Sequence, residues 1–122
     1  LAALGHGPAA IALGRLTVTT PVVRFGGALE FEAMLRNLGD APADVALDYA
    51  VHHRKADGRL APKVFKGRVL RLAAGEAATF ARRHPMRPIT TRVHRDGPHR
   101  LEILANGVSL GAADFVLEGV GP

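Results

Sequence analysis

Apolar and polar residues alternate along most of this chain, beginning at Ile11. The alternation is clearest at residues 29–36, where Leu, Phe, Ala and Leu are separated by Glu, Glu and Met, and at residues 45–52. A period of two indicates β-strands that bury one face. Further apolar positions of this kind occur at residues 16–18, 64–72, 78–80, 101–103 and 108–116. The pattern therefore predicts about seven or eight short strands.

Turn-forming residues separate these stretches, at residues 37–40, 57–58, 74–75 and 106–107. Asn106-Gly107 is the strongest hairpin signal, because a type I′ turn needs positive φ at both central positions. Gly111 is predicted to mark a β-bulge. Since no window after residue 10 offers a long helical stripe, we predict an all-β fold. Residues 11–119 are expected to form one antiparallel β-sandwich, either immunoglobulin-like or fibronectin-like.

The corner before the strand that starts near Arg100 favours an immunoglobulin-like arrangement. In immunoglobulin domains a Tyr at this corner binds upstream backbone through its hydroxyl. His99 occupies that position here, after Asp96-Gly97-Pro98, and a ring N–H can make the same kind of bond. The chain has no Cys and no Trp, which excludes the antibody-type core.

The first ten residues differ from the rest of the chain. Leu1-Ala2-Ala3-Leu4-Gly5 is typical of the last turn of a helix closed by a glycine, and residues 6–10 are typical of a linker. A frayed terminus is the alternative interpretation. We therefore expect residues 1–10 to be a linker or the tail of a preceding domain.

Composition limits the class of protein. A chain of 122 residues with 48% apolar content can bury a core of its own as one domain. The lack of Cys suits a reducing compartment. No apolar run approaches the ~20 residues of a membrane span. Residues 1–13 lack the positively charged start that is typical of a signal peptide. We expect a cytoplasmic monomer without a membrane partner.

Charge is strongly segregated along the chain. Thirteen of the 16 Lys and Arg residues lie between Arg54 and Arg100, against only Asp57, Glu76 and Asp96, so this stretch carries a formal charge of +10. A field of this kind favours a polyanionic partner, first of all nucleic acid. An anionic membrane, an acidic protein, or an ordinary charged strand face in an arginine-rich composition are the alternatives.

Catalytic and metal sites have little support in the sequence. Ser109 lies in a G-x-S-x-G pattern, but the nucleophile elbow needs a following helix, and a strand is predicted here. His52 and His53 are adjacent, so on a strand they point to opposite faces and cannot readily share one ion. We expect this chain to have no catalytic residues, no metal and no cofactor.

The candidate DNA contacts form two groups. The first lies on a predicted hairpin and the second on a predicted long, proline-stiffened loop over residues 82–95. Arginine binds phosphate oxygens with two parallel N–H donors and also enters narrow minor grooves. Stacking platforms for single strands are disfavoured, because Tyr49 and four of the five Phe occupy core-like positions and only Phe65 is flanked by Lys. The predicted DNA-binding residues are Lys55, Lys63, Lys66, Arg82, Arg83, Arg87, Arg92 and Arg95.

Two strings make the chain similar to a known family: D-Y-A-V-H-H-R-K-A-D-G at residues 48–58 and P-K-V-F-K at residues 62–66. With Ile89-Thr90-Thr91-Arg92, Gly97-Pro98-His99 and Asn106-Gly107, they resemble the C-terminal immunoglobulin-like domain of AlkC-type bacterial DNA alkylation-repair glycosylases. The resemblance covers roughly residues 13–117.

This resemblance implies a function. In such proteins a HEAT-like helical repeat domain holds the excision chemistry for bases such as 3-methyladenine, and the sandwich helps to hold duplex DNA. The catalytic carboxylate would lie upstream of this chain, and residues 1–5 would end the last helix of the repeat domain. It also implies a bacterial, cytoplasmic, nucleoid-associated protein.

The sequence thus predicts a non-catalytic DNA-contacting accessory domain of a DNA alkylation-repair glycosylase, with duplex DNA and the HEAT-like domain of the same polypeptide as partners. The alternative function is a structural or protein-interaction spacer in a multidomain protein, without nucleic-acid binding.

Overall fold

The computed structural model describes residues 10–24, 26–54, 59–86 and 97–119. Eight strands are described: β1 (Ile11–Val18), β2 (Val22–Arg24), β3 (Ala28–Asn37), β4 (Ala43–Arg54), β5 (Leu60–Leu72), β6 (Ala77–Pro85), β7 (Gly97–Ala105) and β8 (Val108–Glu118). Sheet A has the order β1-β3-β6, and sheet B has the order β2-β8-β7-β4-β5. The predicted immunoglobulin-like β-sandwich is confirmed. Among the described residues, no helix is long and apolar enough to cross a membrane.

The core lies between the two sheets and follows the alternation in the sequence. On β3 the side chains of Leu29, Phe31, Ala33 and Leu35 are buried, while the intervening glutamates are exposed. On β4 the odd-numbered positions from Val45 to Val51 face the same interior. The rings of Phe31 and Tyr49 meet edge to face across the sheets, with centroids 5.1 Å apart. Burial of these apolar faces is the main force that holds the two sheets together.

Bulges adjust the longest strand pair and the final hairpin. The register between β4 and β5 shifts between Leu47 and Asp48, opposite Gly67. A Cβ atom at Gly67 would lie 2.5 Å from the Leu47 carbonyl oxygen, so the close approach of the two backbones requires glycine. A second shift, between Ile103 and Leu104, occurs beside Gly111, where the sequence predicts a bulge. That prediction is confirmed.

The Asn106-Gly107 turn joins β7 and β8 with the predicted geometry. Both residues have positive φ, 49° and 82°. The Asn106 side chain also binds the neighbouring strand: its Oδ1 accepts from the Ala46 N–H at 2.8 Å, and its Nδ2 donates to the Asp44 carbonyl at 3.1 Å. The turn is therefore attached to β4 as well as to its own hairpin.

The sequence pattern misses the short strand β2. Its three residues pair in parallel with β8, from Val22 with Val116 to Arg24 with Glu118. Three residues are too few to show a period of two. Because β1 belongs to sheet A and β2 to sheet B, the chain changes sheets between these two strands. Together β1 and β2 occupy the side edge of the sandwich opposite β5 and β6.

One sequence-based expectation is wrong. The predicted loop over residues 82–95 does not begin at Arg82, because β6 continues to Pro85. The pairing with β3 explains the difference: Arg83 lies opposite Glu30, and Pro85 lies opposite Ala28. A proline is tolerated there because β6 is an edge strand of sheet A. Of the predicted loop, residues 87–95 lie outside the described residues.

Candidate nucleic-acid interface

The edge strands β5 and β6 lie against each other along one narrow side of the sandwich. The rings of Phe65 on β5 and His84 on β6 have centroids 4.4 Å apart, and Arg82 donates to the Gly67 carbonyl at 3.2 Å. These two strands carry six Lys and Arg residues and no Asp or Glu. We call five of these basic residues the basic edge: Lys63, Lys66, Arg68, Arg82 and Arg83.

Three members of the basic edge that the sequence predicts as DNA contacts are exposed and free of ion pairs in the described part of the chain, as is Arg68. Lys63, Lys66 and Arg83 form no ion pair within 4.0 Å with any described residue. Acids are nevertheless near, since Asp48 is the cross-strand neighbour of Lys66 and Glu30 that of Arg83. The three cationic groups therefore keep their donors available for a ligand.

The Arg82 side chain joins the two sheets and is half-buried. Its guanidinium donates to the carbonyl oxygens of Lys66 at 3.4 Å and Gly67 at 3.2 Å. The same group lies over the ring of Phe80 at 5.0 Å and that of Tyr49 at 5.8 Å. Of the four described residues that the sequence predicts as DNA contacts, Arg82 is thus the one already engaged within the fold.

An aromatic cluster lies beneath this side of the sandwich. Phe65 stacks on Tyr49 with centroids 5.5 Å apart and an interplanar angle of 22°, and the Lys63 ammonium lies 5.8 Å from the Phe65 centroid. The Tyr49 hydroxyl shares a hydrogen bond of 3.0 Å with His84 Nδ1. Burial raises the pKa of Tyr49, although the nearby Arg82 charge partly opposes this. The Tyr49 hydroxyl accordingly keeps its proton at neutral pH.

Several other arginines are paired with acids. Arg71 binds Asp44 at 2.9 Å and Arg100 binds Asp114 at 3.2 Å, while Arg24 lies 3.9 Å from Glu118. All three pairs are exposed, so each contributes at most about 1 kcal/mol to stability. Locally, however, each pair cancels a positive charge. Within the basic segment, Arg71 and Arg100 are therefore neutralised by acids, whereas Lys63, Lys66 and Arg83 of the basic edge are available.

The other predicted contacts, Lys55, Arg87, Arg92 and Arg95, lie outside the described residues. The described strand ends next to them are close together. His52 pairs with Arg100, so β4 ends at Arg54 at the same end of sheet B at which β7 begins at Gly97. Lys63, which is opposite Val51, lies near this end as well.

Ser109 and His52 belong to a hydrogen-bonded cluster around Glu102 on the outer face of sheet B. His52 Nε2 lies 2.9 Å from Glu102 Oε1. Hydrogen bonds from Ser109 and then His52 lower the pKa of Glu102, against a smaller opposing effect of burial. Ser109 lies inside β8, so the helix that a nucleophile elbow needs does not follow it. These three residues form a hydrogen-bond network that stabilises the surface of sheet B.

The buried histidines belong to the interior. His53 and His99 are 4% and 1% exposed, and their rings meet edge to face with centroids 6.2 Å apart. A hydrogen bond of 3.0 Å joins His99 Nδ1 to the Gly97 carbonyl, which is the upstream backbone contact predicted for this corner. No cluster of three potential metal ligands occurs among the described residues.

Comparison with known proteins agrees with this architecture. Residues 12–119 match the family described as "Uncharacterised protein YhaZ, C-terminal Ig-like domain". The protein YhaZ of Bacillus subtilis (strain 168) is 31% identical over 105 residues, which are 86% of this chain and 29% of YhaZ.

Solved structures of other proteins are also similar to this chain. The alkylpurine DNA glycosylase AlkC of Pseudomonas fluorescens, bound to DNA containing an abasic site analog, has a TM-score of 0.85 and 34% identity over 89% of this chain. A β-glucosidase from Listeria innocua, at 16% identity and a TM-score of 0.68, shares the fold. The chain spans 30% of AlkC and 29% of YhaZ. On the family match, this chain belongs to the family of YhaZ C-terminal Ig-like domains.

Proposed function

We propose that this chain is the non-catalytic, DNA-contacting accessory domain of a DNA alkylation-repair glycosylase. The single observation that carries the proposal is the basic edge, where Lys63, Lys66 and Arg83 have no ion-pair partner among the described residues. The likeness to AlkC, whose solved structure contains DNA, supports DNA as the polyanion. Lysine and arginine side chains bind backbone phosphates and so give affinity without base specificity.

Each residue has a proposed role. Lys63, Lys66 and Arg83 neutralise successive phosphates of a duplex that lies along the basic edge. Arg82 holds β5 and β6 together and thereby fixes the spacing of the three. Lys55, Arg87, Arg92 and Arg95, which lie outside the described residues, add further phosphate contacts in this proposal. The chain alone binds weakly, with Kd of about 10⁻⁴–10⁻⁶ M, as is typical of non-specific contacts.

The proposal includes the rest of the polypeptide. Since the chain spans 29–30% of its relatives, the excision chemistry is assigned to a HEAT-like helical domain of the same polypeptide, to which residues 1–10 serve as linker or tail. The accessory domain then adds its phosphate contacts to those of the helical domain. Two linked weak contacts bind much more tightly than either does alone.

Charge substitutions on opposite sides of the sandwich test this function. Lys63→Gln with Lys66→Gln removes two charges from the basic edge, and Arg15→Gln with Arg24→Gln removes two from the opposite strands β1 and β2. Binding to short duplexes of different sequence is measured by fluorescence anisotropy at low salt. We expect the lysine pair to weaken binding severalfold for every sequence, and the arginine pair to have little effect.

Equal losses in the two double variants would show that only net charge matters and would overturn the assignment to the basic edge. If none of the proteins binds duplex DNA, the structural or protein-interaction spacer becomes the better description.

A further inference from the structure

The ring of Phe65 packs against two other rings but is only half-buried. One of its faces stacks on Tyr49, which is itself 3% exposed, and His84 packs against it at 4.4 Å. Tyr49 is fixed in turn by its contact with Phe31 and by the Arg82 guanidinium over its ring. Phe65 therefore rests on a packed aromatic layer, and its accessible surface faces away from Tyr49.

A cation lies beside that accessible surface. The Lys63 ammonium is 5.8 Å from the Phe65 centroid, and Tyr49 already covers the other face of the ring. Lys63 is exposed and sits on a flexible stem, so it can move aside or bind an anion next to the ring. Phe65 thus combines a flat aromatic surface with an adjacent positive charge.

Only a ligand that is both flat and anionic uses both of these features. A nucleobase that is joined to its phosphates is such a ligand, because the base stacks on an aromatic ring while the phosphates bind lysine. Bases inside an intact duplex already stack on one another, whereas an unpaired base has a free face. The aliphatic part of a protein partner would use the ring but not the charge.

We propose that Phe65 is a stacking platform for one unpaired nucleobase of DNA, with the flanking phosphate on Lys63. This inference rests on the proposed function, and it specifies which DNA the basic edge prefers. The sequence alone disfavours stacking because aromatic residues are scarce, but a single supported ring is enough for a single base. Stacking of one base contributes about 1–3 kcal/mol, which is a gain in affinity of about fivefold to 150-fold.

A tryptophan reporter tests the contact directly. The chain has no Trp, so Phe65→Trp places a single indole at the platform. Its fluorescence is followed during titration with a duplex that carries one unpaired, bulged thymine and with the fully paired duplex of the same length. We expect strong quenching by the bulged duplex and little by the paired duplex. Equal quenching, or none with either duplex when both bind, overturns the stacking proposal.

Affinity gives a second readout that does not depend on the reporter. We expect the unsubstituted chain to bind the bulged duplex at least about fivefold more tightly than the paired duplex. Phe65→Leu should abolish this preference and leave affinity for the paired duplex unchanged, whereas Phe65→Tyr should retain it. Lys63→Gln should weaken binding to both. If Phe65→Leu weakens both equally, the ring has only a structural role.

These results separate the two proposals. If neither duplex binds in a salt-dependent way, the proposed DNA-contacting function fails, and the platform fails with it. If both duplexes bind with equal affinity and the bulged duplex leaves the tryptophan fluorescence unchanged, the phosphate contact stands and only the platform is rejected.

Discussion

Individual charged side chains in this sandwich follow two different designs. Arg71 and Arg100 form ion pairs on sheet B with Asp44 at 2.9 Å and Asp114 at 3.2 Å, so their charges are already neutralised within the chain. Lys63 and Arg83 have no such neighbour within 4.0 Å in the described part of the chain. Whether an arginine or lysine is available to DNA is therefore decided by its nearest acid, which the charge count of a segment does not show.

The Glu102 network makes stability depend on pH. Its pKa is lowered in the folded chain, so its stabilising effect is complete above the ordinary value of 4.5 and is lost as the pH falls through the lowered pKa. We expect Glu102→Gln to reduce the free energy of unfolding by about 0.5–1 kcal/mol near neutral pH. Urea denaturation should show this difference shrinking as the pH falls from about 4.5 through the lowered pKa of Glu102. The exposed Asp114→Asn is the control and should cost less.

Gly67 lies where the backbones of β4 and β5 approach closely. An added methyl group would lie 2.5 Å from the Leu47 carbonyl oxygen and 3.3 Å from the Phe80 ring. We expect Gly67→Ala to lower stability by about 1–3 kcal/mol, since β5 must move away from β4. Thermal unfolding measures the loss, with the exposed neighbour Arg68→Ala as the control. A stability equal to that of the unsubstituted chain would contradict the close backbone approach.

The edge strands β5 and β6 have two roles in the sandwich. They close one side of the core, and they present the basic edge. Lysine and arginine on edge strands also discourage pairing with the edge of another sheet. Arg82 serves the first role because it occupies the two carbonyls at the bulge of β5.

Substitution of Arg82 should therefore affect stability more than substitution of its neighbour. Arg82→Ala removes two hydrogen bonds and the contacts with the Tyr49 and Phe80 rings, and we expect a loss of about 1–2 kcal/mol. Arg83→Ala is expected to change stability by no more than about 0.5 kcal/mol. Denaturant midpoints of the two variants compare these losses. A larger loss for Arg83→Ala would show that Arg82 does not hold the sheets together.

For the whole molecule, the sequence predicts the sandwich well because alternation and turn chemistry are local. The strands β3 and β4 and the Asn106-Gly107 turn need no knowledge of distant residues. The parallel strand β2 depends on pairing with β8, nearly a hundred positions away, and three residues carry no usable period. Its existence was therefore not predictable from local pattern.

The sequence predicts the basic residues of the candidate site but not how the strands that carry them are arranged. Ala78, Phe80, Arg82 and His84 occupy every second position, and the structure continues this period through Arg82 on the inward face of β6, where the sequence analysis predicts a loop instead. Lys63 and Phe65 also lie two positions apart on β5, opposite Val51 and Tyr49, although Lys63 itself is exposed. The sequence does not show that these two strands meet across the core, since that contact depends on how the two sheets pack.

The dependence of duplex binding on salt tests the central claim most directly. If Lys63, Lys66 and Arg83 each neutralise one phosphate, the logarithm of the association constant falls with the logarithm of salt concentration with a slope of about −2.7 or steeper. Affinity should then drop roughly 40-fold between about 50 and 200 mM salt. The variant that carries Lys63→Gln and Lys66→Gln should show a slope shallower by about 2. An affinity that is the same at both salt concentrations would contradict the account.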